Sequence, residues 1–325
     1  MFNWLLGRFN KGHIGIDLGI SAIKIVELGK KDGRLNLVNY VLTQSRSVDG
    51  LKISDLKDEE VAKILVDLIA KADINGRVAN VSLPINQTFS TIIDFPEMPE
   101  EELAAAIPFE AKKYVPVPLE EVVLDWSIVG RTASGSAKNN VPATDIKNPA
   151  NSSSFSQSPQ LQVLLVAVPK EIINRMSKIA KLANLTIATL EQEAFSLARS
   201  LVGQDKSTFL IIDIGRKSSD LVVVDDGSVR LSHNLETIDK EILLAEIERL
   251  VNVFRTKYNK NIGTCLLTGG RSFDKEIFNY LSEKLSVPVV VGNPFAKLEH
   301  SPVLEPALKE LGPQLSVAVG LAMRE

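Results

Sequence analysis

Several kinds of site are excluded by residues that this sequence nearly lacks. Of its 325 residues, one is a cysteine, Cys265, and three are histidines. A single thiol cannot form an internal disulfide framework or a cysteine-rich zinc site. The histidines, His13, His233 and His300, form no close pair in the sequence, which disfavours a histidine-based metal centre. The sequence therefore favours a reducing compartment and a function other than zinc chemistry.

Excess charge and long apolar runs are missing as well. The chain carries 37 Lys and Arg against 40 Asp and Glu, a formal net charge of −3, and so lacks the basic excess of a dedicated nucleic-acid-binding protein. No apolar run reaches the roughly 18 residues of a transmembrane helix. Residues 1–9 are too short and too interrupted for a signal peptide. We expect a cytoplasmic protein with no transmembrane segment and no nucleic-acid partner.

Large apolar side chains are scarce in one internal segment. Residues 131–160 contain 7 Ser, 4 Asn and 3 Pro, a composition that cannot bury enough surface to offset the entropy of ordering the chain. We interpret the segment as a mobile loop between two strands, with a phosphorylated or partner-recruiting segment as the alternative. Because the chain is about twice the usual size of a domain, we expect two lobes or one domain with an insertion.

Two similar motifs dominate what is present. Asp17-Leu18-Gly19 and Asp213-Ile214-Gly215 each end an apolar β run, and each begins a hairpin into a second apolar run. Two such turns facing each other would offer backbone N–H groups to a phosphate chain. Asp17 and Asp213 would hold Mg²⁺ through water. The alternative is that both aspartates merely accept hydrogen bonds within ordinary turns.

A third motif follows a buried strand. Thr268-Gly269-Gly270 ends the apolar run that contains Cys265, and two adjacent glycines indicate a backbone that bulky residues cannot adopt. The sequence leaves open whether a nucleotide or only a tight turn needs these glycines. Cys265 itself is interpreted as a small core residue.

Together these motifs resemble those of the actin-like ATPase superfamily, and within it the PilM branch of type IV pilus assembly proteins, relatives of the division protein FtsA. The resemblance to that branch also rests on stretches typical of its inserted subdomain and second lobe: Phe95–Pro99, Phe109–Pro116, Glu121–Trp126 and Asn293–Phe295.

The resemblance implies an α/β, actin-like (ribonuclease H-like) fold of two lobes. Residues 1–77 and 187–207 are expected to form the core of lobe 1, and residues 208–325 lobe 2. An α+β insertion is expected at residues 78–186. In lobe 2 the small subdomain that closes over adenine in this superfamily is expected to be reduced, at about residues 232–262, because little chain is available there.

The resemblance also assigns residues to a nucleotide site for ATP with Mg²⁺. Asp17, Glu191 and Asp213 are its catalytic candidates, and Asp17 and Asp213 are its metal candidates through water. A helix-capping carboxylate is the alternative for Glu191, and an ordinary strand lysine is the alternative for Lys24. The candidates for contact with the nucleotide are Gly19, Ser21, Ala22, Lys24, Gly215, Ser218, Gly269, Gly270 and Arg271.

Three departures from the family pattern weaken the expectation of ATP turnover. Ile20 replaces the usual Ser or Thr beside the first turn, and Arg216 and Lys217 stand where small residues are usual. With the reduced small subdomain, these departures predict at most a degenerate ATPase.

The function implied is that of a cytoplasmic scaffold in type IV pilus assembly, peripheral to the inner membrane. The resemblance implies that it binds the N-terminal cytoplasmic peptide of a PilN-like membrane protein, in a groove between the insertion and lobe 1. Other pilus assembly platform proteins and further copies of the chain are additional expected partners, and ATP is an expected allosteric ligand. The alternatives are an ATPase or phosphotransferase with real turnover and an FtsA-like division scaffold.

Overall fold

The computed structural model describes residues 14–43, 53–132 and 160–324, in which three β-sheets and eight α-helices carry the fold. The strands are β1 (Ile14–Leu18), β2 (Ile23–Lys31), β3 (Arg34–Leu42), β4 (Val78–Leu83), β5 (Phe89–Pro96), β6 (Val122–Thr132), β7 (Gln160–Pro169), β8 (Thr186–Gln192), β9 (Phe209–Ile214), β10 (Ser219–Asp225), β11 (Ser228–Leu235), β12 (Thr264–Thr268) and β13 (Val289–Val291). The helices are α1 (Asp58–Lys71), α2 (Glu100–Ala111), α3 (Lys170–Leu182), α4 (Glu193–Leu197), α5 (Lys240–Tyr258), α6 (Lys275–Lys284), α7 (Glu305–Leu311) and α8 (Ser316–Ala322).

Two five-stranded sheets share one strand order. The first runs β3-β2-β1-β4-β8 and the second β11-β10-β9-β12-β13. In both sheets the first three strands are antiparallel neighbours, and the last two continue the sheet in parallel from the central strand. The strands β1 and β9, which end in the two Asp-x-Gly motifs, are therefore equivalent. The repeat that the motifs predict extends to whole sheets.

A third sheet, antiparallel in the order β5-β7-β6, lies between β4 and α3 in the chain. Its middle strand β7 is buried on both faces because it separates two cores. Leu161, Val163 and Leu165 pack with α2, whereas Leu164 and Val166 pack in the core of the first sheet. The inserted sheet is thereby fixed to the first lobe by apolar contacts along its central strand.

Both ends of the expected insertion, residues 78–186, pair or pack with the first sheet. Strand β4 pairs with both β1 and β8, so it belongs to the first sheet. Helix α3 buries Met176, Ile179 and Ala180 in the core of that sheet. The order of strands along the chain does not say which strands pair, so sequence alone does not separate these ends from the inserted sheet. We propose residues 85–169 as the inserted subdomain.

Helices α4 and α8 cross between the two lobes. Helix α4 follows β8 of the first sheet and packs against the second, while α8 comes from the second lobe and packs against β1. The crossing is very close: a Cβ on Gly15 would lie 2.0 Å from the Ala318 carbonyl oxygen, and one on Gly320 would lie 2.0 Å from that of Ser196. Glycine is required at both positions, because these contacts are with backbone atoms that a side chain cannot displace.

A single helix, α5, connects β11 to β12. The carboxylate of Asp239 caps it by accepting hydrogen bonds from two backbone N–H groups of its first turn. Leu243, Ile247 and Phe254 are buried against the second sheet. Residues 236–263, which are all described, contain no other helix or strand. The part of the expected range 232–262 that follows β11 therefore holds one helix, which lies on the second sheet.

Within the described ranges, no helix combines the length and the apolar character that crossing a bilayer requires. The expected loop of residues 131–160 lies outside the described residues from 133 to 159.

Candidate functional site

A cavity of about 390 Å³ lies between the two five-stranded sheets, a size within the usual range for small-molecule sites. Both lobes and both connecting segments contribute to its lining, which consists of Asp17, Gly19, Ile20, Ser21, Ala22, Lys24, Leu42, Thr43, Pro84, Asn86, Glu193, Asp213, Gly215, Arg216, Lys217, Ser218, Asp220, Asn234, Gly270, Arg271, Leu311, Gln314 and Val317.

Most of the predicted site residues are brought together here. The cavity lining includes ten of the twelve: Asp17, Gly19, Ser21, Ala22, Lys24, Asp213, Gly215, Ser218, Gly270 and Arg271. The two that lie elsewhere are Glu191 and Gly269. Strands β1 and β9 lie about 200 positions apart in the chain. Their residues converge because the two strand ends that carry the Asp-x-Gly motifs meet at the cavity.

On the first lobe, an ion pair stands at the base of the cavity. Lys24 lies opposite Asp17 in the β1–β2 register and donates to its Oδ2 at 2.8 Å. Ser82 of β4 donates to the other oxygen, Oδ1, at 3.2 Å, and accepts from the Leu18 N–H. Burial alone would lower the pKa of Lys24, but the charges of Asp17 and Asp213 outweigh burial and raise it. Lys24 is therefore a permanent cation at the cavity.

On the second lobe, the equivalent positions hold two carboxylates. Asp220 lies opposite Asp213 as Lys24 lies opposite Asp17, and Asn234 donates to Asp220 Oδ1 at 2.8 Å. Burial raises the pKa of Asp213 to about 6 and that of Asp220 to about 7, and the charge of Asp213 adds to the effect on Asp220. The motifs predicted Asp213 but missed Asp220. The shared seven-residue spacing could have identified it.

A fourth carboxylate, Glu193, reaches the cavity from the first residue of α4. Burial, followed by the charges of Asp220, Asp17 and Asp213, raises its pKa well above the usual range. Four acidic side chains thus line the cavity together with the ammonium of Lys24. Such an arrangement favours the uptake of protons or of a cation, because like charges at short range oppose ionisation.

Glu191, the predicted acid of the connecting segment, points elsewhere. Its two carboxylate oxygens accept from Arg199 at 2.8 and 2.7 Å, and Arg324 also pairs with it. Arg199 donates in addition to the Gly320 carbonyl at 2.6 Å. Glu191 therefore ties β8 to both connecting helices. Glu191 does not cap a helix, since β8 continues to residue 192 and α4 begins at Glu193, the acid that lines the cavity.

Gly269 has a role within the fold itself. Its φ is +89°, in the region that favours glycine, and a Cβ there would lie 2.1 Å from Asp213 Oδ1 and 2.5 Å from the Ile214 carbonyl oxygen. Its N–H donates to the Pro313 carbonyl at 3.0 Å. The next residue, Gly270, lines the cavity, and a Cβ on it would meet no atom within 4 Å. The tight turn alone thus requires Gly269.

Cationic side chains also line the cavity, in addition to these carboxylates. Arg216 and Lys217 are exposed in the β9–β10 turn, and Arg271 donates to Asp274 at 2.5 Å. All three contribute to the lining, as does the apolar side chain of Ile20. The positions at which the sequence departs from the family pattern therefore lie at the cavity, where they add positive charge and remove a hydroxyl.

The carboxylates of Asp17, Asp213, Asp220 and Glu193 fit a magnesium ion that is held mainly by water molecules. Among residues 14–43, 53–132 and 160–324, no three His, Cys, Asp or Glu side chains converge closely enough to form a metal site by themselves. Mg²⁺ usually keeps several waters and takes one or two carboxylates together with phosphate oxygens. Asp17 and Asp213 remain the candidate carboxylates for this ion, with Asp220 beside them.

Comparisons with known proteins agree with the geometry. The family described as type IV pilus assembly protein PilM matches residues 15–146 and 238–325, which is more than half of the chain. A solved structure of the PilM-PilN type IV pilus biogenesis complex has a TM-score of 0.76 with this chain at 22% identity. The match covers 96% of this chain and 97% of that one.

Other solved structures are more distant. The ethanolamine utilization protein EutJ from Carboxydothermus hydrogenoformans is 14% identical, with 95% and 88% of the two chains covered and a TM-score of 0.47. A Bacteroides thetaiotaomicron protein with an actin-like ATPase fold is 13% identical, with 91% and 94% covered and a TM-score of 0.45. The chain has an actin-like fold and belongs to the PilM family of type IV pilus assembly proteins.

Proposed function

We propose that this chain is a scaffold of a type IV pilus assembly machine at the cytoplasmic face of the inner membrane. It binds the N-terminal cytoplasmic peptide of a PilN-like membrane protein, and ATP with Mg²⁺ acts as an allosteric ligand between the lobes. Other assembly platform proteins and further copies of the chain are proposed as additional partners. The observation that carries the proposal is that one cavity is lined by the Asp-x-Gly turns of both lobes.

The composition of the cavity supports a phosphate ligand. The turns at residues 19–22 and 215–218 present backbone to it, and Lys24, Arg216 and Arg271 supply positive charge. Asp17 and Asp213 would hold Mg²⁺ through water, and the ion would supply positive charge beside the phosphates. A ligand that contacts both lobes binds best when they are close together, so it shifts the population toward the closed arrangement.

The partner is proposed from the family and from the similarity to the PilM-PilN complex. The peptide would lie in the groove between the inserted sheet and the first lobe. Near the end of α2, Phe109, Tyr114 and Val117 are exposed large apolar side chains, while Val115 between the last two is buried in the core of the insertion. Exposed apolar side chains grouped in this way offer contacts to a partner.

Calorimetric titration of the full chain tests both parts of the proposal. Mg-ATP is titrated first, and a peptide with the N-terminal cytoplasmic sequence of a PilN-like protein follows on the same sample. We expect both to bind and each to change the affinity of the other by the same factor, because allosteric coupling is reciprocal. Absence of peptide binding contradicts the scaffold, whereas equal peptide affinity with and without nucleotide contradicts the allosteric role.

A pair of variants locates the peptide site. The double substitution Y114A/V117A should weaken peptide binding and leave Mg-ATP binding unchanged. The matched control is Ile242→Ala, which removes an exposed apolar side chain from the second lobe. If the control weakens the peptide as strongly as the double variant does, the proposed location is wrong.

ATP turnover is a second candidate function, and the position of Glu193 favours it. A carboxylate whose pKa is raised well above its ordinary value is a stronger base, which suits it to accept a proton from an attacking water. In that case Glu193→Gln should reduce steady-state phosphate release by at least about 100-fold without weakening Mg-ATP binding. Equal phosphate release by the variant and the parent would contradict turnover at this site.

A further inference from the structure

A hydrogen bond joins the second lobe to the inserted sheet. The guanidinium of Arg230, on β11, donates from Nη1 to the side-chain oxygen Oε1 of Gln162, on β7, at 3.2 Å. Strand β7 is the middle strand of the inserted sheet and is fixed to the first lobe by its apolar contacts. The contact between Arg230 and Gln162 therefore connects the second lobe to the subdomain beside which the peptide is proposed to bind.

Both residues of this contact lie at β-bulges. The register of β10 and β11 shifts at Arg230, which has no residue opposite it. The register of β6 and β7 shifts in the same way at Val129, and Gly130 beyond the shift lies opposite Gln162. A Cβ on Gly130 would lie 2.9 Å from Gln162 Oε1, so the glycine leaves room for this amide. Bulges interrupt a ladder and re-aim side chains, and here one lies at each end of the hydrogen bond.

Arg230 is buried without a full set of partners. Its side chain is 10% exposed, and no described residue accepts a hydrogen bond from its Nε. The carboxylate of Asp225, at the end of β10, lies 3.8 Å from this Nε, which is beyond hydrogen-bonding distance. A buried donor without an acceptor costs free energy, so a small movement that brings Nε to Asp225 would compensate for the loss of Gln162. Arg230 therefore has two alternative partners, Gln162 in the insertion and Asp225 in its own lobe.

Beside this contact, a second cavity of about 290 Å³ separates the second lobe from the insertion. Val129 and Leu164 line it from the insertion, and Ser228 and Val229 line it from the second lobe. Atoms that border an unfilled space lack dispersion contacts across it, so apolar packing does not fix the two units to each other at this cavity. A small displacement of β11 relative to the insertion is therefore accommodated there without breaking an apolar core.

Strand β11 also reaches the cavity between the two five-stranded sheets. Asn234, four residues after Arg230, lines that cavity and donates to Asp220 at 2.8 Å. A ligand that draws the two Asp-x-Gly turns together displaces β10 and β11 with them, since both strands belong to the second sheet.

We infer that Arg230 couples this cavity to the inserted subdomain. Its hydrogen bond to Gln162 is made in one arrangement of the lobes and is exchanged for Asp225 in the other. A contact carries coupling between two sites when it differs between two arrangements that both sites bias. The inference rests on the proposed function, since it names the residue through which the phosphate ligand changes the affinity for the peptide. Arg230 lies outside the lining of the cavity and is a positioning residue that acts through Gln162.

Calorimetric titration of the full chain and of its Arg230→Met variant tests the inference. For each protein, the affinity for the PilN-like peptide is measured without and with saturating Mg-ATP, and the ratio of the two affinities is the coupling factor. We expect a factor of at least about 5 for the parent and less than about 2 for the variant, while the variant still binds each ligand alone. Asp225 keeps Lys260 and Thr208 as partners at 2.8 Å, so the variant has no unpaired carboxylate and should melt close to the parent.

Two further variants separate coupling from stability. Lys260→Met removes the other cation that pairs with Asp225. Because the Lys260 ammonium bonds only Asp225 among the described residues, this variant should keep the coupling factor of the parent. Gln162→Met removes the acceptor in the insertion and should reduce the factor as Arg230→Met does.

The outcomes distinguish this inference from the proposed function. If Arg230→Met or Gln162→Met keeps the coupling factor of the parent, or if Lys260→Met loses it, the inference is wrong and the proposed allosteric role stands. If the parent itself fails to bind the peptide or has a coupling factor of one, the proposed function fails and the inference fails with it.

Discussion

Replacing either glycine of the Gly269-Gly270 pair with alanine separates two roles within one motif. The two residues are adjacent, yet only Gly269 has a positive φ, +89°, and only at Gly269 would a Cβ overlap other atoms. Gly270 lines the cavity and has open space where its Cβ would be. We therefore expect Gly269→Ala to destabilise the protein strongly and Gly270→Ala to leave its stability nearly unchanged.

The magnitude follows from two contributions at Gly269. An L-residue in left-handed backbone costs about 1–2 kcal/mol. A Cβ at 2.1 Å from Asp213 Oδ1 and 2.5 Å from the Ile214 carbonyl oxygen also forces a backbone shift, for which overpacked cores typically lose about 1–3 kcal/mol. The expected loss is thus about 2–5 kcal/mol. In a chain of this size it lowers the melting temperature by roughly 4–10 °C.

Thermal melting of the parent and both variants, followed by circular dichroism without ligand, measures this difference. Gly270→Ala should melt within about 2 °C of the parent, which corresponds to less than about 1 kcal/mol. Because Gly269→Ala also displaces the Asp213 carboxylate, it should weaken the binding of a magnesium-bound phosphate ligand. The reasoning is refuted if the two variants melt at the same temperature, or if Gly269→Ala melts with the parent.

Three other predictions concern buried ionisable groups. Glu191→Gln removes the carboxylate that pairs with Arg199, so we expect a loss of about 3 kcal/mol in denaturant titrations, while the exposed control Glu310→Gln should match the parent; equal midpoints would contradict the pairing. The pKa of Asp220 is raised to about 7, so the folded chain binds more protons than the unfolded chain between about pH 4 and 7 and loses stability as the pH rises through this range. Asp220→Asn should therefore raise the melting temperature at pH 8 but not near pH 4, and an equal gain at both would contradict the assignment. Burial raises the pKa of the Cys265 thiol to about 12, so a thiol reagent at pH 8 should label only the unfolded protein, and rapid labelling of the folded protein would place the thiol outside the core.

The fold was largely predictable from local patterns. The apolar runs beside the paired Asp-x-Gly motifs predicted two similar hairpins, because similar sequence at equivalent turns requires similar hairpins, whereas chain length and the family resemblance predicted two lobes. The bounds of the insertion were not predictable in this way. Strand β4 follows the chain directly into the inserted sheet, but it pairs with β1, and pairing between distant strands leaves no local signal.

The residues of the candidate site were likewise predictable from the sequence only in part. The sequence alone indicated that Asp17 and Asp213 belong to two equivalent turns, because the same residue types recur at the same spacing, and the family resemblance added Lys24 on the strand after the first turn. Only the tertiary structure decided between Glu191 and Glu193, two acids in one short stretch. Strand β8 continues through Gln192, which places the first acid between two arginines and brings the second to the cavity.

The different roles of Gly269 and Gly270 were likewise decided by tertiary contacts. The sequence indicates that Gly269 and Gly270 allow an unusual backbone conformation, but it does not distinguish the role of one glycine from that of the other. The distance from Gly269 to the Asp213 carboxylate depends on the packing of β12 beside β9, strands whose paired residues are more than fifty positions apart. The sequence by itself determined which residues belong to turns and cores. The packing of the two lobes determined which of those residues surround the cavity.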